Sequence, residues 1–435
     1  MEKQIENIDV IVIGAGPAGI ASAITIARAG NKVLVMEKSS HFGIKNMYGG
    51  AIYLNSVQEL VKNVDIPYDR VNVSHNYVIL NDENSINVSY KNKNSKTSAT
   101  ITRFNFDTYL SEIAKKEGVF FAKNTLVVDL IKENNAIKGV KTEYEEIRAK
   151  AVILAEGFNS ILAVKYGFKK KIEPKSAILG VKEVISLPKE IINKRFNLED
   201  KEGAIYQFFG GLHKENEEIP MGMGFLYTYK NFVTVGAGIS MESLKSGKIP
   251  PYVYLERLKK HPFVSDLIKD GEILEYQAHS IPEGGYNELP KLYDNGILLV
   301  GDCANLVDSP HFEGTNLAIK SGILAGNTIN LAIKKNDFSK KTLKKYKKDM
   351  YKSFVIQDLK TYRNLIKTLI LKKEFAFSYL PKKADEFFEM FTSTKDKGKK
   401  LGYRKFISSL FADRCPFKSM CDVISFVKCV FEAVI

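Results

Sequence analysis

Three glycines near the start of the chain, Gly14, Gly16 and Gly19, lie in the run G-A-G-P-A-G, and an acid, Glu37, follows Gly14 by 23 residues. Glycines at this spacing suit a phosphate-bearing dinucleotide. The first permits the tight turn out of a strand, the second lets backbone approach a pyrophosphate, and the third lets a helix pack close to a sheet. A helix entered through Pro17 and Ala18 directs unpaired N–H groups and the positive end of its dipole at the phosphates. Glu37, with Lys38 beside it, can accept hydrogen bonds from a ribose diol and repels a phosphorylated ribose, which argues against NADP. The fingerprint alone does not separate FAD from NAD.

A second polar set lies far along the chain. Gly301 and Asp302 follow the apolar run G-I-L-L-V, and Gly314, Thr315 and Asn316 stand where a helix begins. An aspartate at the first position can bond ribityl hydroxyls. The helix start would face the N1 and O2 edge of a flavin, where reduced flavin carries negative charge. His311 and Glu313 sit next to that turn and can exchange protons. No protein nucleophile is required, because in such chemistry the bound cofactor carries the electrons.

The elements that must position these residues read off the hydrophobic pattern. Residues 9–13 (DVIVI) predict a buried parallel strand, residues 20–29 a small-residue helix capped by Gly30 and Asn31, and residues 32–36 a second strand, together one βαβ unit. Residues 72–102 alternate apolar and polar types and predict short antiparallel strands. A helix over 106–116, a strand–turn–strand over 120–144 and a buried strand over 151–154 follow. Residues 172–279 read as a strand-rich block interrupted by a helix over 252–260, and the chain from 339 onward reads as helical and lysine-rich.

The expected fold class is therefore α/β: a discontinuous Rossmann-like nucleotide domain with an inserted antiparallel-sheet substrate domain and a helical C-terminal region. The expected boundaries are 1–71, 103–171 and 281–335 for the nucleotide domain, 72–102 and 172–280 for the sheet domain, and 336–435 for the helical region.

Bulk properties narrow the function classes. The chain has 435 residues, 45% apolar and 26% charged, which suits two or three ordinary globular domains. Its net charge of +14 would fit nucleic acid, an anionic membrane surface or an acidic partner. No zinc finger, helix-turn-helix or RNA-binding sheet motif is present, so nucleic acid is not expected. No secretory leader is visible, and no run reaches the roughly 20 apolar residues of a membrane span. The cysteines are Cys303, Cys415, Cys421 and Cys429. So few, without a leader, suggest a cytoplasmic protein. The last three are spaced unlike iron–sulfur ligands, and no metal site is expected.

Further motifs add a family resemblance. Gly14 to Gly19, Glu37, Arg103-x-x-Phe106-Asp107, Ala155-Glu156-Gly157-Phe158-Asn159-Ser160 and Gly301-Asp302 resemble the flavoprotein hydroxylase and geranylgeranyl reductase superfamily. Two segments are sharper. Gly43-Ile44-Lys45-Asn46-Met47-Tyr48-Gly49-Gly50 resembles the G-x-K-N-x-x-G-G loop of electron-transfer-flavoprotein–quinone oxidoreductases, and His311-Phe312-Glu313-Gly314-Thr315-Asn316-Leu317-Ala318 resembles the H-x-E-G-[ST]-N-L-A stretch of their FixC-type branch. The resemblance runs from about residue 6 to residue 370.

The resemblance implies a glutathione-reductase-like FAD domain with FAD as cofactor. It implies reduced electron-transfer flavoprotein as donor, and a quinone or a separate ferredoxin-like protein as acceptor. Arg103 matches the position facing the FAD pyrophosphate or nearby loops, where a guanidinium can bind phosphate oxygens in a bidentate fashion, and Val127 matches one whose backbone meets adenine. Gly49 belongs to the covering loop. Lys45 and Asn46 are candidates for the flavin ring, as a cation that raises its potential and an amide that bonds its edge. The chain departs from the family at Glu156, where Asp is usual, and at Cys303, where small residues are common; a small buried hydrophobe is the expected role of that thiol. An FAD-dependent prenyl-chain reductase is the alternative, although those relatives carry a Cys-containing loop where this chain has Asn46-Met47-Tyr48. An aromatic monooxygenase and a flavin-bearing docking subunit are weaker alternatives. The final helix, with an apolar stripe from Val423 to Ile435, suits packing on the body or peripheral contact with a membrane.

Overall fold

In the computed structural model, residues 7–44, 47, 50–61, 65–81, 83–214, 216–393, 398–412 and 416–434 are described. The chain forms two compact units. The first comprises Met1–Asp69, Lys96–Ala177 and His279–Lys360, and the second Arg70–Ser95, Ile178–Ala278 and Thr361–Ile435.

The first unit is built on buried runs of Val, Ile and Leu. In chain order its framework is β1 (Val10–Ile13), α1 (Pro17–Ala27), β2 (Val33–Met36), α2 (Arg103–Lys116), β3 (Phe120–Ala122), β4 (Ala151–Leu154), α3 (Ile161–Lys165), β5 (Ile297–Leu299), α4 (Thr315–Lys335) and α5 (Lys340–Lys352). Strands β1, β2 and β4 are buried at every residue, which is why they read as continuous apolar runs rather than alternating ones. The sheet order is β5-β4-β1-β2-β3, all parallel, with Tyr293–Asp294 added antiparallel on β5. Because β1 lies between β2 and β4, chain direction across the sheet reverses there. Such a switch point opens a crevice beyond the carboxyl ends of the strands.

Helices α1 and α4 pack against each other unusually closely. A Cβ on Gly322 of α4 would lie 2.3 Å from the Ala18 carbonyl oxygen, and one on Gly326 would lie 2.6 Å from Thr25 Cβ. Only glycine permits that approach. The buried face of α4 (Leu317, Ile319, Ile323, Ile329) supplies the apolar burial that holds it. On α5, the buried Tyr346 donates its hydroxyl hydrogen to the Leu299 carbonyl at 2.9 Å, which fastens that helix to the end of β5.

The second unit centres on a curled sheet. Ala177–Ser186, Phe232–Ser240, Gly222–Thr228 and Glu202–Gly210 pair antiparallel in that order. Glu202–Gly210 then pairs with Arg70–Asn81 in parallel, and Asn84–Lys91 closes the edge as a hairpin partner. The parallel pair departs from the all-antiparallel expectation. It arises because Arg70–Asn81 enters long before its neighbour in sequence, so no hairpin joins them. Val78, Phe208, Leu226, Val235, Tyr254 and Leu258 form the core of this unit. Helices Leu365–Leu371, Leu380–Thr392, Lys399–Ala412 and Pro416–Val434 complete it.

Candidate functional site

Register brings the chemistry-bearing turns to one level. Ile13 pairs with Met36 on one side and Leu154 on the other, and Leu154 pairs with Leu299. The ladder continues one residue further: Gly14 N–H donates to Met36 O at 2.9 Å, Ala155 N–H to Ile13 O at 2.9 Å, and Val300 N–H to Leu154 O at 3.0 Å. Gly14, Glu37, Ala155 and Gly301 therefore leave the sheet together at its carboxyl edge.

The three fingerprint glycines serve different needs. Gly14 has φ of +104°, and a Cβ there would lie 2.3 Å from the Ala155 carbonyl oxygen. A Cβ on Gly19 would lie 2.1 Å from the Gly14 carbonyl oxygen. These two are required by packing. Gly16 is not, since among the described residues a Cβ there meets nothing within 4 Å. It faces open space at the N-cap of α1, with no side chain capping the helix and Pro17 in its first turn. A pyrophosphate fits that cradle and would meet free N–H donors.

At the end of β2, Glu37 is held by two backbone donors. Ala15 N–H reaches Oε2 at 3.0 Å and Ser39 N–H reaches Oε1 at 2.9 Å. Each carboxylate oxygen keeps a second acceptor position, enough for a ribose diol. Lys38 is exposed next to it, and Val127 begins the strand Val127–Glu133 with its side chain buried. Arg103 stands at the start of α2 and binds Asp107 in a bidentate pair, Nε to Oδ1 at 3.0 Å and Nη2 to Oδ2 at 2.7 Å. Asp107, read from the sequence as part of a motif, is thus the fully buried anchor that fixes the Arg103 guanidinium. Lys45, Asn46 and Gly49 lie outside the described residues.

The turn after β5 meets both helices. Gly301 has φ of +61°, and a Cβ there would lie 2.9 Å from Ala18 Cβ and 3.6 Å from Ala318 Cβ. The first turns of α1 and α4 therefore converge on one glycine, next to Asp302. Burial pushes the Asp302 carboxyl up, against the charges of His279, Arg103 and Lys169. Burial pushes the His279 imidazole down, with Asp302 opposing and Arg103 and Lys38 adding to the effect. Arg103, Lys38 and Asp302, far apart in sequence, thus influence a common neighbour. His279 went unnoticed in the sequence because it ends a strand-rich block without any motif around it.

Glu156 explains its own departure from the family. Its Oε1 accepts from Leu162 N–H at 2.9 Å and its Oε2 from Ala163 N–H at 3.0 Å, capping α3. The extra methylene supplies the reach. Burial raises its pKa, opposed by those two N–H groups. Cys303 is fully buried, and burial pushes its thiol up to about 12, so it is the small hydrophobe expected and not a reactive thiolate.

A polar cluster occupies the loop before α4. Asp308 and Glu313 exchange backbone hydrogen bonds, N–H to O at 2.8 and 3.0 Å, which closes the loop into a bridge. Within it, His311 Nδ1 lies 2.8 Å from Asp308 Oδ2, and Asn316 donates to Glu313 from the first turn of α4. Tyr53 donates its hydroxyl hydrogen to the His311 carbonyl at 3.2 Å. Asp308 is buried, and among the described residues its Oδ1 has no partner; nor does Oδ1 of the buried Asn316. Asp308 raises the His311 pKa through the hydrogen bond. Burial raises Glu313, and burial with the Asp308 charge raises Asp358. Burial pushes Glu283 up to about 7. The structure thus gathers the predicted His311 and Glu313 with three acids missed in the sequence. Asp308 had a visible signal, an acid three residues before a histidine. Glu283 and Asp358 had none.

Gly314 caps α4 without a side-chain bond, and Thr315 and Asn316 form its first turn. The open cradle at Gly16, the uncapped starts of α1 and α4 and the acceptors on Glu37 and Asp302 together fit a flavin dinucleotide. Among the described residues no three His, Cys, Asp or Glu side chains gather as a metal site.

Comparison with known proteins agrees with this geometry. The family model for FAD dependent oxidoreductases matches residues 9–164. Protein FixC of Azotobacter vinelandii is 38% identical over 383 residues, covering 86% of this chain and 88% of that protein. Protein FixC of Escherichia coli strain K12 is 35% identical over 365 residues, covering 82% and 84%. Among solved structures, a geranylgeranyl bacteriochlorophyll reductase-like protein of Thermoplasma acidophilum has the same fold, with a TM-score of 0.72 at 22% identity, covering 93% of this chain and 98% of that one. A halogenase solved with phloroglucinol and FAD also shares it, with a TM-score of 0.64 at 13% identity, covering 95% and 85%. The glycine cradle, the acceptors along the carboxyl edge and this identity along most of both chains make the protein an FAD-dependent oxidoreductase of the FixC family.

Proposed function

We propose that the protein takes electrons from a reduced electron-transfer flavoprotein and hands them to a quinone or a separate ferredoxin-like protein. When bound, FAD supplies the two-electron chemistry. The chain's own residues bind and orient it. The α1 N-terminus and Gly16 hold the phosphates, Glu37 the ribose, Asp302 the ribityl chain, and the start of α4 the pyrimidine edge.

The observation that carries this reading is the Asp308–Glu313 bridge against the first turn of α4. It sets a histidine and a carboxyl beside the helix start with a route to solvent through the half-exposed His311. Groups so placed can hold or release a proton near neutral pH without acting as nucleophiles. Lys45 and Asn46 join this reading from the sequence alone, as ring-edge residues.

The membrane-surface alternative for the acceptor draws on the second unit. Among the described residues no helix is long and apolar enough to cross a membrane. Phe388, Phe391, Ile407, Phe417 and Ile424 nonetheless stand exposed on its helices, beside Lys399, Lys400 and Lys405. Exposed apolar residues on lysine-bearing helices support peripheral contact with an anionic bilayer at the cytoplasmic side.

The test is an anaerobic spectrum followed by addition of reduced electron-transfer flavoprotein. Rapid bleaching of the oxidised-flavin band is the expected result. Bleaching only by nicotinamide nucleotide or dithionite refutes the donor assignment and moves the case to a prenyl-chain reductase, whose fold this chain shares.

A further inference from the structure

We propose that Lys169, two residues beyond the glycine that follows α3, is a positioning residue for the dinucleotide site: a buried cation that clamps the turn after β4 to the turn after β5. The inference rests on the FAD reading above and adds to it a residue that no motif marks.

The lysine is only 6% exposed. Its Nζ donates to the Asp302 carbonyl at 3.2 Å and to Ser160 Oγ at 3.1 Å. Ser160 in turn donates to the Gly157 carbonyl at 2.8 Å. One ammonium thereby joins the backbone of Asp302 to the backbone of Gly157, on the carboxyl ends of two adjacent strands. Ser160 sits in the left-handed region with φ of +46°, a conformation a serine holds only when its surroundings fix it.

Burying an ammonium is unfavourable unless charge and hydrogen bonds compensate it. Here the groups that face it are Glu156, Asp302, Glu288 and the Cys303 thiol. Glu156 and Asp302 belong to the turns that would receive a ligand carrying two phosphates. Lys169 is one of the charges that oppose the burial-driven rise of both carboxyls; without it, each must either carry an uncompensated charge toward an anionic ligand or take up a proton. Lys169 therefore does two things an apolar residue cannot: it fixes the separation of the two turns and it offsets part of their charge. Burial also lowers the pKa of the ammonium, so it gives up its proton sooner than an exposed lysine as pH rises. Burial also raises the Glu156 and Asp302 carboxyls and pushes the Cys303 thiol up to about 12.

The experiment compares flavin-stripped wild type, Lys169→Met, Lys169→Arg and the double variant Lys169→Met/Glu156→Gln. FAD is titrated in, with quenching of its fluorescence as readout, at neutral and alkaline pH, and each protein is also melted thermally. In wild type, affinity is expected to fall as pH rises through the range where Lys169 loses its proton. Lys169→Met is expected to bind FAD about tenfold more weakly or worse at neutral pH, and to lose that alkaline fall. Lys169→Arg, which stays charged, is expected to retain more affinity than Lys169→Met. The double variant removes the uncompensated acid, so its melting temperature recovers while its affinity stays low; it also carries the test if Lys169→Met alone does not fold. Wild-type affinity in Lys169→Met, or full recovery in the double variant, overturns the inference and leaves FAD binding intact. Absence of FAD binding in the wild type overturns the FAD reading and this inference with it.

Discussion

Glu283 offers a sharp test of the polar cluster. Its carboxyl is pushed from an ordinary value of 4.5 up to about 7, first by burial and then by the Asp308 charge, with a Ser309 hydrogen bond opposing. Between those two values the folded protein holds a proton that the unfolded chain has released. Stability therefore falls as pH rises from about 4.5 to about 7 and stays lower above it. At about 1.4 kcal/mol for each tenfold change in proton affinity, the penalty at pH 8 comes to about 3 kcal/mol. Glu283→Gln keeps the shape and removes the titration. Its melting temperature, followed by circular dichroism, should exceed that of wild type by roughly 5 to 10 °C at alkaline pH, with the gap closing near pH 5. Because the chain has no tryptophan, flavin release serves as the second probe. Parallel melting curves across that range would refute the placement of a costly carboxylate at this position.

Further predictions follow from the packing. Gly16→Ala should leave the melting temperature of the flavin-free protein nearly unchanged, since its Cβ meets nothing within 4 Å among the described residues, yet weaken FAD binding at least about tenfold in a fluorescence titration. Gly322→Ala drives a methyl to 2.3 Å from the Ala18 carbonyl, and thermal melts should show a loss of about 2–3 kcal/mol together with weaker FAD binding. Glu156→Asp, one methylene short of the Leu162 and Ala163 N–H groups, should cost about 1 kcal/mol in the same assay and retain FAD. Cys303 should resist alkylation by iodoacetamide in the folded protein and react once the first unit is unfolded.

The parts of the fold that read well from sequence are those governed by short-range rules. β1, α1 and β2 lie within a few residues of where apolar runs and the glycine spacing put them, because the turn at Gly14 and the cap at Gly30 are local. α4 starts at Thr315, within the expected Gly314-Thr315-Asn316 turn, and the Asp308–Glu313 bridge keeps Glu313 out of the helix. What sequence could not supply were pairings across long separations. The parallel contact between Glu202–Gly210 and Arg70–Asn81 is one, and the approach of Lys169 to Asp302 is another. A lone lysine after a short helix looks like any surface lysine until the fold buries it. Arg103 shows the intermediate case. Its motif marked it as important, but its fixing by Asp107, one helical turn on, was legible only as an i,i+4 spacing.

The glycine contacts between α1 and α4 set the span of the site before any ligand arrives. With Gly322 against the Ala18 carbonyl, and Gly301 wedged between Ala18 and Ala318, the two helix starts behave as the jaws of a fixed gauge rather than of a vice. A ligand that matches the gap loses little free energy to ordering this part of the protein, and one that does not match cannot be accommodated by sliding the helices. The spacing of the two helix starts is thus written into the absence of a Cβ at Gly301, Gly322 and Gly326. Any homologue that regains one of these atoms must shift a whole helix to keep the same ligand.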